Sequence, residues 1–496
     1  MSTTGANRGL QTVTPAQAAV EVHSIDYIPE RERHGKVWNQ ATLWFLANAE
    51  LATLAIGLIG ISAGLSLFWA GVGTLTGIVF GTLFQATHSV QGPRLGIPQM
   101  IQSRPQFGYY GAVWPQFVSV LEFIGFTVFN AIVGGQALHA ATGLNSTASL
   151  LLVFALALAF AIIGYDAIHR LARWGTLLFL VVFGFFTIAA LFAVHLPASQ
   201  AGTGTFKVAP FLLAFGVAAS YQVTGAVFVS DYSRYLRKSV SASSCFWWTF
   251  FGAGISALWM IVLGAFLSAA YPQGQTVDVV RLGGDAIFSG FGRFSLLVGV
   301  VGMVGAAAIT LYSGALTTIS VVDSISKIRT SVRLRLAAIG LIAAVSIILA
   351  VLVPANFLTA WSNFLLLIFY FLVPWSAVNL VDFFIIRRGQ YAIREIFNPR
   401  GMYGRWGWRG LTAYFVTVAV MIPFFSTPIF TGPVANALSG ADLSVLVGLP
   451  VAAVLYYALA RGVDRTAELE LVRSSNADLE KEFALAEVAG PEGETS

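Results

Sequence analysis

An all-α polytopic membrane protein with about twelve transmembrane helices is predicted by three features of the sequence. They are twelve apolar runs, a one-sided distribution of basic residues, and two polar interruptions about 170 residues apart. The runs lie at 40–66, 67–90, 112–138, 148–165, 174–195, 208–229, 246–270, 295–320, 334–353, 357–386, 411–430 and 443–460. Each is long enough to cross about 30 Å of hydrocarbon as a helix. Of the 28 Lys and Arg residues, 25 fall in the two tails or on alternate connections, leaving only Lys207, Arg281 and Arg293 on the other side. Such asymmetry orients a membrane protein with its basic loops inside, so both termini are expected in the cytoplasm of a cell with a cytoplasmic membrane.

Composition excludes the soluble alternatives. With 57% hydrophobic and 10% charged residues, a soluble domain would expose a very large apolar surface. The net charge of +5 needs no nucleic acid, since the basic residues sit where lipid headgroups attract them. A single cysteine, Cys245, rules out an internal disulfide and reads as a buried, inert thiol. No cleavable signal is visible in the polar first 37 residues. The six histidines (His23, His34, His88, His139, His169, His195) are scattered, and no His-x-x-x-His or Gly-x-Ser-x-Gly pattern occurs. A membrane enzyme, a metal site and a cofactor therefore find no support.

The individual runs differ in what interrupts them. Run 1 carries Asn48-Ala49-Glu50 at its centre, and run 3 carries Glu122; these are the carboxylates well inside apolar runs. A charged group at that depth costs a few kcal/mol or more, so both are candidates for proton coupling or binding, with a structural bond to unwound backbone as the alternative. Run 6 holds Ser220-Tyr221-Gln222-Val223-Thr224-Gly225 at mid-depth. Two such breaks are what an inverted five-plus-five repeat with discontinuous first helices produces, and irregular backbone is tolerated at that depth only around a cavity. Run 10 is followed by the longest inner connection, 387–410, with a Gly/Arg/Trp cluster suited to the headgroup belt. The outer connections are short except 271–294, and Asn145-Ser146-Thr147 is a glycosylation sequon on one of them.

Four segments, in order, resemble the cytosine/purine permease family of nucleobase:cation symporters, most closely its purine–cytosine branch. Gly92-Pro93-Arg94-Leu95-Gly96-Ile97-Pro98-Gln99-Met100 with Ser103-Arg104 and Phe107-Gly108 resembles the loop after helix 2. Asn130-Ala131-Ile132-Val133-Gly134-Gly135-Gln136-Ala137-Leu138 is similar to helix 3, and Ser230-Asp231-Tyr232-Ser233-Arg234-Tyr235-Leu236 to the segment after helix 6. Pro374-Trp375-Ser376-Ala377-Val378-Asn379-Leu380-Val381-Asp382 with Arg387-Arg388-Gly389-Gln390-Tyr391 resembles the helix-10 signature. The resemblance implies a leucine-transporter-like fold of ten core helices plus two peripheral ones, working by alternating access. On that plan residues 1–37 form a cytoplasmic tail, 38–390 the ten-helix core, 391–463 two further helices with their loop, and 464–496 a charged cytoplasmic tail with a short helix through Glu468–Val488.

A nucleobase is a flat ring with amide-like edges, so its site needs aromatic faces and carboxamide, hydroxyl or carboxylate partners. Asn48, Glu50, Phe126, Thr127, Asn130, Tyr221, Gln222, Thr224 and Thr310, with Tyr312 nearby, supply that set from helices 1, 3, 6 and 8. Relatives place tryptophans on helices 3 and 6, where this chain aligns Phe123 and Gln222, and an asparagine on helix 8 where it has Thr310. Sodium-coupled relatives carry hydroxyls on helix 8 where this chain reads Val301-Gly302-Met303-Val304-Gly305-Ala306. The expectation is a nucleobase importer coupled to protons and not sodium, with Glu50 as first carrier, Glu122 as second, and Asp231 and Arg234 as an inner gate. Hydantoin, allantoin, thiamine or pyridoxine-like rings are the alternative substrates, and the oligomeric state is undetermined.

Overall fold

The computed structural model describes residues 25–200, 202–326, 328, 331–352, 357–427 and 430–488. All twelve apolar runs coincide with helices in it. The first is split into α1 (Asn39–Asn48) and α2 (Leu51–Ser62), which meet at 54°. The split has a local cause. Glu50 adopts extended backbone (φ −153°, ψ 166°), and its carboxylate accepts from the N–H groups of Ala52 at 3.1 Å and Thr53 at 2.9 Å. It is thus the N-cap of α2, satisfying backbone donors that hydrocarbon could not.

α3 (Leu67–Ser89) packs closely against α7 (Val208–Thr224) because glycines line the seam. A Cβ on Gly81 would stand 2.3 Å from the Ala219 carbonyl oxygen, and one on Gly77 2.4 Å from that of Phe215. α4 (Val113–Thr142) and α5 (Ser146–Ile163) form the next hairpin, with the Asn145 side chain capping α5. α6 (Tyr165–Ala193) begins nine residues before the apolar run at 174. Its first turns carry Asp166, Arg170 and Arg173 on an exposed face, which hides them from a hydropathy window.

The sixth span breaks later than its polar stretch. Ser220 to Thr224 remain helical, because Ser220 donates to Leu365 O at 2.5 Å and Gln222 to Thr82 Oγ1 at 2.8 Å without leaving the helix. The interruption falls at Gly225–Phe228, a 3-10 turn ending at Phe228 (φ −138°, ψ 5°), before α8 (Val229–Ser233). α9 (Ala242–Ala270) follows. The long outer connection at 271–294 contains α10 (Thr276–Ile287), a short amphipathic helix with a Gln275/Asp278 capping box that buries Val277, Val279 and Val280. It is too short and too polar for a membrane-length signal.

α11 (Phe291–Ser326) is the most enclosed helix and packs along α4; α12 (Val332–Leu352) and α13 (Phe357–Leu380) complete the core, α13 continuing as a π-helical turn over Val381–Ile386. α14 (Trp408–Met421) and α15 (Ser444–Ala460) lie beyond it, and α16 (Arg465–Val488) turns 91° away from α15. Among the described residues nine helices are long and apolar enough to span a membrane, and α1–α2 make a bent tenth span.

Both described ends lie on one face, here the terminal face, where the Tyr27 hydroxyl bonds Glu480 of α16. Residues 25–37, expected within a solvated tail, are instead packed down: Tyr27, Ile28 and Arg33 are buried, and Arg33 donates to Ile28 O (2.9 Å) and Pro93 O (2.7 Å). Burial holds the Tyr27 phenol above its usual range, so it keeps its proton to donate. The C-terminal segment is likewise docked. Arg387 joins Glu468 (2.8 Å) to Asp382, and Asp382 also accepts from Gln106 (2.7 Å), Tyr391 (2.8 Å) and Tyr456 (2.8 Å). Asn476 bonds Tyr391 O and the Ile393 N–H. Residues 1–24 and 489–496 of the two tails lie outside the described residues.

Candidate functional site

A narrow cavity of about 40 Å³ opens where the two helix breaks face each other. Its wall is built from α1, α3, α4, α7 with the turn after it, and α11. Two larger cavities, of about 530 and 560 Å³, are lined chiefly by apolar side chains, one between α2, α7 and α13 and one between α1 and α9. Size favours those; chemistry favours the break cavity, which gathers rings and carboxamides in the bundle interior.

Four rings enclose it. Trp44 from α1 and Phe228 at the second break lie 5.3 Å apart between centroids, and Phe126 from α4 and Tyr221 from α7 lie 5.9 Å apart. Each pair is tilted, as aromatic quadrupoles prefer. Tyr221 presents its ring because its hydroxyl is engaged elsewhere, with Thr53 Oγ1 at 2.5 Å and Glu50 Oε1 at 3.2 Å.

The polar residues divide by whether the fold already uses them. Asn48 donates to Trp44 O (3.0 Å) and Ala253 O (3.2 Å), and Gln222 to Thr82 Oγ1 and Ala253 O (3.1 Å). Their nitrogens hold α1 and α7 against α9 and α3. Thr224 donates to Tyr221 O at 2.6 Å. The hydroxyls of Thr127 and Thr310 are 2.9 Å apart, each also within reach of carbonyls of its own helix, so they tie α4 to α11. Thr310 lines the cavity; Thr127 and Tyr312 are not among its lining residues. Asn130, 1% exposed, also lines it, and its amide oxygen has no hydrogen-bond partner among the described residues.

The two acids differ in the same way. Glu50 receives four donors: Ala52 N, Thr53 N, Thr53 Oγ1 and the Tyr221 hydroxyl. Glu122 is 1% exposed on α4, away from the cavity lining, and neither carboxyl oxygen has a partner among the described residues. At the first break the Cα of Gly302 on α11 is so near that a Cβ there would meet Ala49 O at 2.6 Å.

Asp231 and Arg234 sit on the terminal-face side of the second break, and both are buried. Asp231 Oδ1 accepts from Gln99 N at 2.9 Å, in the segment after α3, while Arg234 Nε donates to Asp231 O at 3.2 Å and its guanidinium stacks 5.2 Å from the Tyr235 ring. A surface ion pair is thereby excluded. Sequence reasoning missed Trp44, Gln85, Phe228 and Ile309 in the wall. Gln85 is a lone amide in an apolar run, and Phe228 one of 39 phenylalanines, so neither carried a signal of its own.

A family described as "Permease for cytosine/purines, uracil, thiamine, allantoin" matches residues 27–448. The chain is 35% identical over 443 residues to a putative purine-cytosine permease of Bacillus subtilis, covering 89% of this chain and 96% of that one. It is 29% identical over 465 residues to a purine-cytosine permease of Emericella nidulans, covering 90% and 89% respectively. In fold it is similar to Mhp1, a nucleobase-cation-symport-1 family transporter solved closed with bromovinylhydantoin bound, at a TM-score of 0.75 and 16% identity over 94% of this chain and all of that one.

Proposed function

The chain belongs to the permease family for cytosine and purines, uracil, thiamine and allantoin, and from that premise we propose that it imports a purine or cytosine-like nucleobase by alternating access, in symport with a proton. The observation that carries the reading is the break cavity. It combines aromatic faces for a flat ring with carboxamides for its edge, at the meeting point of two interrupted helices. The names of the relatives, and the hydantoin bound in the fold neighbour, support a nitrogen heterocycle as cargo. The one-sided basic residues support a cytoplasmic terminal face, and import places the protein in the cell's cytoplasmic membrane in this reading.

At about 40 Å³ the cavity admits a few water-sized groups and no purine, so binding requires its wall to part. The terminal face is closed by the N-terminal segment and by the Asp231–Gln99 contact, which makes Asp231 and Arg234 parts of an inner gate in this reading.

Proton coupling rests on Glu122 more than on Glu50. A carboxyl group with four donors at a helix N-terminus is already bonded by the fold, whereas an acid buried without a partner among the described residues is stable only with its proton and changes when water reaches it. Where a sodium site would take hydroxyls from α11, the first break meets Gly302. One proton moved through 100 mV supplies about 2.3 kcal/mol, roughly 50-fold accumulation. The test is uptake of radiolabelled hypoxanthine and cytosine into proteoliposomes under separately imposed proton and sodium gradients, with allantoin, thiamine and hydantoins as competitors. Accumulation that follows only sodium ends the proton reading, and absence of uptake of both hypoxanthine and cytosine ends the substrate reading.

A further inference from the structure

We propose that Gln85 on α3 is a specificity-determining residue that reads the polar edge of the substrate ring, together with Asn130 on α4. This rests on the nucleobase reading of the same cavity. Gln85 is 1% exposed and lines the cavity, and its carboxamide oxygen has no hydrogen-bond partner among the described residues. Native interiors rarely leave such a group unmade, because a buried donor or acceptor without a partner forfeits the hydrogen bonds it had in water.

The surroundings show that the group is held there by construction. Its carboxamide lies over Gly225, where a Cβ would meet the Gln85 side-chain amide at 2.5 Å. Gly225 is also where the sixth span leaves regular helix. One turn away along the same α3–α7 seam, Gln222 Nε2 bonds Thr82 Oγ1 at 2.8 Å and Ala253 O at 3.1 Å. Two glutamines that line the cavity from one seam are therefore treated differently: one fastens helices together through its amide nitrogen, and the other is packed against the break with its amide oxygen unpartnered among the described residues.

A carboxamide offers one donor and one acceptor side by side. It matches a ring edge that presents N–H beside C=O, as in hypoxanthine, or an amino group beside a ring nitrogen, as in cytosine. Asn130 supplies a second carboxamide from another helix, its oxygen likewise without a partner among the described residues. The pair thus selects rings with two polar edges and disfavours bare aromatic rings, which would leave both amides unpartnered.

The experiment compares wild-type protein, Gln85→Ala and Gln85→Met as full chains in detergent, the methionine variant keeping the length of the side chain should the alanine variant not purify. Binding of hypoxanthine and cytosine is measured beside unsubstituted purine and pyrimidine, which keep the ring nitrogens and lack the exocyclic oxygen or amino group of that edge. The expected result is about tenfold or greater weakening for hypoxanthine and cytosine with purine and pyrimidine unchanged, so that discrimination collapses. Equal weakening of all four marks a packing role and overturns the inference, as does wild-type binding of all four. If the wild-type protein binds none of the four, the nucleobase reading itself fails and takes this inference with it.

Discussion

The Tyr221 hydroxyl donates to Glu50 Oε1 at 3.2 Å, joining α7 to the break in the first span. The same carboxylate caps α2 through Ala52 and Thr53, so one acid holds the interrupted helix together and fixes it to the second interrupted span. Both residues line the break cavity, so the contact fixes part of its wall.

Replacing Glu50 by Ala removes an N-cap and leaves the Ala52 and Thr53 N–H groups unpaired in the bilayer interior. A loss of about 1–3 kcal/mol is expected, visible as a lowered melting temperature in detergent. Glu50→Gln keeps an acceptor for the cap and is expected to melt closer to wild type. An alanine variant as stable as wild type would show that the cap is not what holds the break.

Glu122→Gln mimics the protonated acid without cutting any hydrogen bond, since none to its carboxyl is formed among the described residues. Substrate binding and counterflow exchange should persist while accumulation driven by an imposed proton gradient is lost. Undiminished proton-driven accumulation would remove Glu122 from the coupling.

Gly81→Ala places a methyl group 2.3 Å from Ala219 O, backbone that cannot step aside without opening the α3–α7 seam. Overpacking of this kind costs about 1–3 kcal/mol, and yield of folded protein should fall accordingly. Gly71→Ala, on the same helix with nothing within 4 Å, is the matched control and should be neutral.

Asp382 gathers Gln106, Arg387, Tyr391 and Tyr456 around one buried carboxylate. Asp382→Ala leaves Arg387 buried with only Glu468 as counter-charge, and a destabilisation of about 3–5 kcal/mol is expected. Limited proteolysis gives the readout: the α15–α16 junction near residue 464 should become cleavable, and protection equal to wild type would show that α16 docks independently of this network.

Asp231→Ala removes the acceptor for Gln99 N. If this contact helps close the terminal face, a cysteine placed at Gln99 in that background should react faster with a membrane-impermeant thiol reagent added to the cytoplasmic side. An unchanged rate would separate Asp231 from the gate.

Hydropathy and charge alone determined the spans, because burial in hydrocarbon tolerates few alternatives to a long apolar helix. The break at Glu50 was legible for the same reason: a carboxylate at that depth demands an explanation. The second break was displaced, because polar side chains of Ser220 and Gln222 bond across helices and leave their own backbone regular, whereas Gly225 supplies the gap. Amphipathic α10 escaped notice because its apolar stripe is a dozen residues long. Which polar residues line the cavity and which are bonded by the fold was decided only by tertiary packing. Asn48 and Gln222 line the cavity and also tie helices together through their amide nitrogens, while the amide oxygens of Gln85 and Asn130 have no partner among the described residues, since a hydrogen-bond partner supplied by another helix has no address in the local sequence.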